Sequence, residues 1–245
     1  NTFAVFLVKR SLDQIRMTIA QTKLNVKLVG SYSGILTGFT GKTHQSVEDI
    51  AVMRAMPNMV LLAPADANEL AQCVRFAASY EGPVYLRVHR DEAPPVLASD
   101  YQFRFGKAVE VREGSDVALV STGEQTGRVV QAADMLAAAG ISAMVVHAPT
   151  IKPFDGDAIV EAAKATGRVV VVEEHSIYGG LGSAVCEVLG EHYPTLVKRI
   201  GLMDVYGESA PNEALLEKYG LSASKVAEAT EKWLRGHSGE TGEGR

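Results

Sequence analysis

The sequence predicts an α/β protein of two domains, each a mostly parallel sheet flanked by helices. Three observations predict it. Short runs rich in valine, isoleucine and leucine alternate with stretches of helical period, the rhythm of strand–helix–strand units. That rhythm stops at residues 91–101 (DEAPPVLASDY), which carry two prolines and no clear period, and then restarts. At 245 residues the chain has room for two modest domains or one large one, and the break in rhythm selects two.

In the first half, residues 25–30 (NVKLVG) read as a strand ending at a glycine. Residues 46–56 carry apolar side chains at 47, 50, 52, 53 and 56, a helical stripe that Ser46 and two acids would start. Residues 59–63 form a buried strand. A second helix follows to about Tyr80, with Asp66 as its cap and Glu69 completing a capping box. Gly82 and Pro83 make the turn into a strand at 84–88. The chain opens on NTFAVF, directly in helix-forming sequence, so no first strand is expected and the first sheet reads as incomplete at its N-terminus. In the second half, strands are expected at 117–121, 141–146, 169–172 and 196–200. Helices are expected at 125–139, 155–165, 182–189, 212–219 and 223–234. Domains are thus expected at 1–100 and 106–235, followed by a small, polar, frayed tail at 236–245.

Composition excludes several functions. The formal charge is −5 and there is no basic run, so nothing marks a nucleic-acid surface. No apolar run approaches the roughly 18 residues that span a bilayer, and no signal peptide is visible, which makes a cytoplasmic protein the expectation. The two cysteines, Cys73 and Cys186, read as buried thiols within helices.

The motif THQSVEDIAVMRAMPNM from Thr43, followed by APAD at 63–66, resembles the pyrimidine-binding domain of transketolases. So does the opening, Phe3-Ala-Val-Phe6 with Arg10 and Asp13-Gln-Ile-Arg16. Residues 150–155 (TIKPFD) and 172–182 (VEEHSIYGGLG) resemble the transketolase C-terminal domain. The similarity covers about residues 2–235. It implies a thiamine diphosphate enzyme that moves a two-carbon ketol unit from a ketose (phosphate) to an aldose (phosphate), held on the cofactor as an enamine. The order and length suit the C-terminal subunit of a split transketolase. A separate N-terminal, pyrophosphate-binding subunit would then supply the diphosphate and Mg2+ (or another divalent ion) site, in a dimer or heterotetramer, and no metal ligand is expected in this chain.

The resemblance assigns the site. Phe3 and Phe6 match aromatics that pack on the aminopyrimidine, and their spacing of three would place both on one helical face. His44 matches a catalytic and substrate-contacting histidine or glutamine, and imidazole both gives and takes protons near neutrality. Arg90, just past a strand, matches an arginine that grips a sugar phosphate. Two positions depart from the pattern: Tyr32 replaces a histidine near the acceptor phosphate, and Thr40 replaces an aspartate that reads a sugar hydroxyl. A non-standard substrate is therefore an alternative. The activating glutamate of the family lies upstream of Phe3, so the natural gene is expected to extend upstream. His89, Glu173, Glu174 and His175 tempt as a metal cluster, and Gly179, Gly180 and Gly182 as a phosphate loop; both read better as structure. Other thiamine enzymes (1-deoxyxylulose-5-phosphate synthase, 2-oxo-acid dehydrogenase beta subunits) and a non-catalytic partner subunit are the competing readings.

Overall fold

Apolar β-branched runs settle as parallel strands where helices can cover both faces, and this chain does so twice. The structure is a computed structural model and describes residues 1–237. The first half contributes β1 (Thr2–Phe3), α1 (Ala4–Arg10), α2 (Leu12–Gln14) with a π-helical continuation at Ile15–Ala20, and β2 (Lys27–Ser31). A 3₁₀ turn at Gly38–Thr40, α3 (Asp49–Ala55), β3 (Val60–Leu62), α4 (Ala67–Ser79) and β4 (Val84–Arg87) follow. The second half contributes β5 (Val109–Arg112), β6 (Val117–Ser121), α5 (Gln125–Ala138), β7 (Ala143–His147), β8 (Thr150–Lys152), α6 (Gly156–Thr166) and β9 (Arg168–Ser176). It ends with α7 (Leu181–His192), β10 (Leu196–Leu202), α8 (Asn212–Lys218) and α9 (Ala223–Gly236).

Two five-stranded sheets result, in the orders β1-β2-β4-β3-β8 and β10-β9-β6-β7-β5. All pairings are parallel except those of the edge strands β8 with β3 and β5 with β7. This is the architecture the sequence predicts. Because side chains alternate across a strand, β6 sends Val117 and Leu119 into the layer under α5 and α9, and Ala118 and Val120 into the layer under α6 and α7. Helix α9 meets that core with Val226, Thr230 and Leu234, one side of the helix at a spacing of four.

Several expectations need correcting. A first strand does exist: Thr2 and Phe3 pair in parallel with Gly30 and Ser31, too short a segment to show in a hydropathy pattern. Phe3 and Phe6 therefore lie on a strand and a helix, not on one helical face. The first sheet also takes β8 from beyond the linker, with Leu61 opposite Lys152 and Leu62 opposite Thr150. Lys152 Nζ donates to the carbonyls of Arg54 (2.9 Å) and Met56 (2.5 Å), satisfying the end of α3. Helix α3 starts at Asp49 rather than at Ser46, whose backbone instead bridges to Gly34. Strand β9 runs on through Glu173, Glu174 and His175. Asp66 caps α4 by accepting from Glu69 N at 3.0 Å, but the Glu69 carboxylate reaches back to Ala65 N, one residue before the cap. Cys73 is buried and Cys186 exposed. The expected tail begins inside α9, which runs through Gly236, and its remainder from 238 lies outside the described residues.

The two halves meet across a polar seam. Glu69 in α4 bonds His147 at 2.8 Å, His147 bonds Thr126, and Thr126 bonds Ser121, all buried; Tyr101 from the linker donates to the other Glu69 oxygen at 2.7 Å. Beside it, Arg87 at the end of β4 is 2% exposed and donates from Nε to Asp49 at 2.9 Å, while Nη2 donates to the Glu174 carbonyl at 2.9 Å. Removing one member of a buried ion pair leaves the other uncompensated and costs about 3–5 kcal/mol. Arg87→Ala is accordingly expected to lose about that much in urea denaturation, and a loss below about 1 kcal/mol would show the pair to be dispensable.

Candidate active site

The ends of β1, β2 and β4 lie side by side, where parallel sheets gather ligands. Phe3 closes β1, and its ring stacks on Tyr32 just past β2, with centroids 4.4 Å apart and planes inclined by 19°. Phe6, in the first turn of α1, lies 5.5 Å from Phe3. The His44 ring meets both edge-on, 5.4 Å from Phe3 and 5.0 Å from Phe6. Two cations border these rings. Arg10, one helical turn past Phe6, holds its guanidinium 4.3 Å from the Phe6 centroid, and Arg90 holds its own 5.7 Å from Tyr32.

The backbone is bent to build this cluster. Tyr32 has φ +57°, a conformation rare for a bulky side chain and costing on the order of 1–3 kcal/mol, which turns the ring off the strand line and onto Phe3. His44 Nδ1 bonds the Thr43 hydroxyl at 2.9 Å, so Nε2 is the ring nitrogen left for a ligand. Arg90 is about half exposed; its Nη1 donates to Thr37 O at 3.4 Å and its Nε lies 4.0 Å from Asp91, which leaves donors to spare. Thr40 is exposed and donates to the same Thr37 carbonyl at 3.0 Å, so it belongs to the loop under Arg90 rather than to the rings.

Beneath the rings lies the buried charge network. Glu174 Oε1 accepts from Ile35 N (2.7 Å) and Leu36 N (3.2 Å), while Oε2 lies 3.7 Å from His89 and 3.8 Å from Arg128, without a hydrogen bond. Burial pushes the Glu174 carboxyl up to about 7 against the pull of Arg128 and Arg87, with Glu124 adding to the rise. Burial, reinforced by Arg87 and Arg128, holds His89 well below the usual histidine range, and burial raises Glu124. The neighbouring acids do other work: Glu173 accepts from Leu181 N and Gly182 N at 2.7 and 2.9 Å, filling the start of α7 with this chain's own carboxylate. A Cβ on Gly180 would sit 2.1 Å from that carboxylate, so these glycines serve packing. Among the described residues no group of three or more His, Cys, Asp or Glu is placed to hold a metal, and no helix is long and apolar enough to cross a membrane.

Comparison with known proteins matches residues 1–95 to the transketolase pyrimidine-binding domain and residues 106–226 to the transketolase C-terminal domain. The chain belongs to the transketolase family. It carries that family's pyrimidine-binding and C-terminal parts in order. A 6-deoxy-6-sulfo-D-fructose transketolase subunit of Clostridium sp. (strain MSTE9) is 39% identical, over 94% of this chain and 71% of the relative. An apulose-4-phosphate transketolase subunit of Phocaeicola vulgatus is 37% identical, over 95% of this chain and 74% of the relative. A solved structure described as a split-gene transketolase, inactive β4 tetramer, superposes with a TM-score of 0.89 at 46% identity, covering 96% of this chain and 75% of that one.

Transketolases use thiamine diphosphate, and the residues present fit its pyrimidine half. Four half-buried rings in mutual contact present the kind of surface on which a flat heteroaromatic packs. Arg10 has no role in the motif reading, although its place four residues past Phe6 already puts it on the Phe6 side of the helix. Glu174, read from sequence as structural, has a partner that sequence does not show, since adjacent acids carry no sign that one of them reaches a loop of the first half.

The Glu174 pKa sets a pH dependence. A carboxyl raised in the folded state favours the protonated form, so its contribution to stability is complete below the unfolded value near 4.5 and is lost as pH rises through about 7. Glu174→Gln removes that loss. The melting temperature of the variant, relative to wild type, is expected to be higher at pH 8 than at pH 5. An equal difference at both would show that Glu174 does not titrate in this range.

Proposed function

We propose that this chain is the C-terminal subunit of a split transketolase, transferring a two-carbon ketol unit between sugars or sugar phosphates. The observation that carries the reading is the cluster of Phe3, Phe6, Tyr32 and His44 at the ends of β1 and β2, bordered by Arg10 and Arg90. In it, residues 1–100 act as the pyrimidine-binding domain and 106–235 as the C-terminal domain, in a cytoplasmic assembly. A partner N-terminal subunit holds the diphosphate and its divalent ion, and the cofactor lies between the two in a dimer or heterotetramer.

Bound thiamine diphosphate supplies a nucleophilic carbon and an electron sink for the two-carbon fragment. Phe3 and Phe6 hold and orient the pyrimidine. His44 gives and takes a hydrogen bond through Nε2 at a substrate hydroxyl, and is the group here suited to move a proton near neutrality. Arg90 grips the terminal phosphate with donors that its neighbours leave free. Tyr32 and Thr40 read the acceptor, and both depart from the family's usual side chains.

Those departures favour a second reading, a non-standard sugar substrate. A neutral hydroxyl at Thr40 pairs with different substrate groups than a carboxylate does, and hydrogen bonds to charged groups are worth about 1.5–3 kcal/mol, enough for a tenfold change in preference. Relatives named for a sulfosugar and for apulose 4-phosphate are in keeping with such variation.

The test is ketol transfer from xylulose 5-phosphate to ribose 5-phosphate by this chain mixed with its N-terminal subunit, thiamine diphosphate and Mg2+. Activity requiring both polypeptides is the expected result. Cofactor binding without transfer would move the assignment to another sugar, and neither would favour a non-catalytic role. Phe3→Ala is expected to weaken cofactor binding to the complex about tenfold, from lost ring contacts of roughly 0.5–1.5 kcal/mol and lost burial. Arg90→Ala is expected to raise KM for a phosphorylated substrate at least about tenfold, with little change for its dephosphorylated analogue. Equal losses on the two substrates would remove the phosphate role.

A further inference from the structure

Glu174 is a residue of β9 in the second sheet, yet its side chain ends among backbone of the loop that follows β2 in the first half. Its Oε1 takes the N–H groups of Ile35 and Leu36. Gly34, at φ +75°, passes so close that a Cβ there would lie 2.0 Å from Oε1, so this approach requires glycine. Gly34 and Ser46 exchange backbone hydrogen bonds of 2.8 and 3.1 Å, closing the neck of a loop, and Gln45 Nε2 donates to Ile35 O at 3.0 Å inside it. Beyond that neck the loop carries the Thr37 carbonyl that holds Arg90 and Thr40, and then His44; just before it stands Tyr32.

We propose that Glu174 is a positioning residue: a carboxyl group of the second domain that clamps the 32–44 loop and so sets where Tyr32, Thr40, His44 and Arg90 stand. The part of the inference that concerns catalysis rests on the function proposed above; the clamp itself does not.

Charge makes the clamp adjustable. Glu174 faces Arg87 and His89 from β4 and its exit, and Glu124 and Arg128 from the start of α5, while Ser176 N in its own strand donates to Val47 O at 2.7 Å. Oε2 is buried without a hydrogen bond and is therefore the oxygen that takes a proton, leaving Oε1 against the two amides. The two amides favour the ionised form, but burial outweighs them, so a proton on Oε2 relieves a buried charge while Oε1 keeps its amides, and loss of the proton loosens the loop. With burial holding the carboxyl near 7, this happens in the neutral range.

Hydrogen exchange of the full chain tests the clamp without any assay of transfer. In Glu174→Ala the segment 32–44 is expected to exchange about tenfold faster, with β6 unchanged. In wild type, exchange there, corrected for the intrinsic chemical rate, is expected to slow as pH falls from 8 to 6, because an opening that lets water reach the carboxyl lowers its pKa, whereas Glu174→Gln, which keeps an acceptor oxygen, stays flat. Unchanged protection in Glu174→Ala would overturn the proposal, as would the same acceleration in β6. If the alanine variant does not fold, a Glu174→Gln segment that follows pH as wild type does would overturn it alone. In the reconstituted complex, Glu174→Ala is expected to raise KM for the sugar phosphate about tenfold with a smaller effect on kcat. A wild-type complex without ketol transfer would count against the proposed function and leave the exchange result to decide the role of Glu174.

Discussion

A guanidinium ion shut away from water at the seam of two sheets constrains much of what surrounds it. Arg87 has five donors and almost no solvent, so each direction in which the fork points needs an acceptor or a polar neighbour. Asp49 meets Nε and also takes the Tyr85 hydroxyl at 2.9 Å, which fixes the start of α3 against β4. The Glu174 carbonyl meets Nη2, which fixes β9 against β4. His89 lies 3.3 Å from Nη1 and is held between Glu124 and Glu174. One side chain thus ties two strands from different sheets to a helix, and the charges around it are those needed to make its burial tolerable.

The ring cluster stands on this base. Its side chains come from the ends of β1 and β2, from α1 and from a loop, and none of these is rigid by length: β1 has two residues and α1 seven. What holds them is the network underneath, where the second half of the chain reaches the loop through Glu174 and the Arg87 region through β9. A half-buried ring cluster can therefore remain ordered, because its support is buried while its face is not.

The sequence made the repeated strand–helix rhythm legible, and with it β6, α5, β7 and α9, because these have long apolar runs or full helical stripes. It did not reveal β1 or β8. Strands of two and three residues have no period to detect, and their place is set by register against a neighbour. Phe3, Phe6, Tyr32, His44 and Arg90 could be named together only through the order of motifs, since nothing in spacing says that positions 32 and 90 converge; the structure brings these five into one cluster and leaves Thr40 at its border. Glu174 could be read as structural, beside His89, but its partners in the loop could not be named. The amides it binds lie 139 and 138 residues upstream, a separation that no spacing rule connects.

The borrowed edge strand has a consequence for how genes of this type can be cut. β8 belongs to the second half by sequence and to the first sheet by hydrogen bonding. A break in the linker would give a first fragment with the outer backbone of β3 bare, an invitation to pair with any passing strand. The two halves are therefore a single inheritable unit. Recombination can join this unit to other domains or separate it from them at its borders, but a crossover inside it would produce two pieces, one of which exposes the edge the other was built to cover.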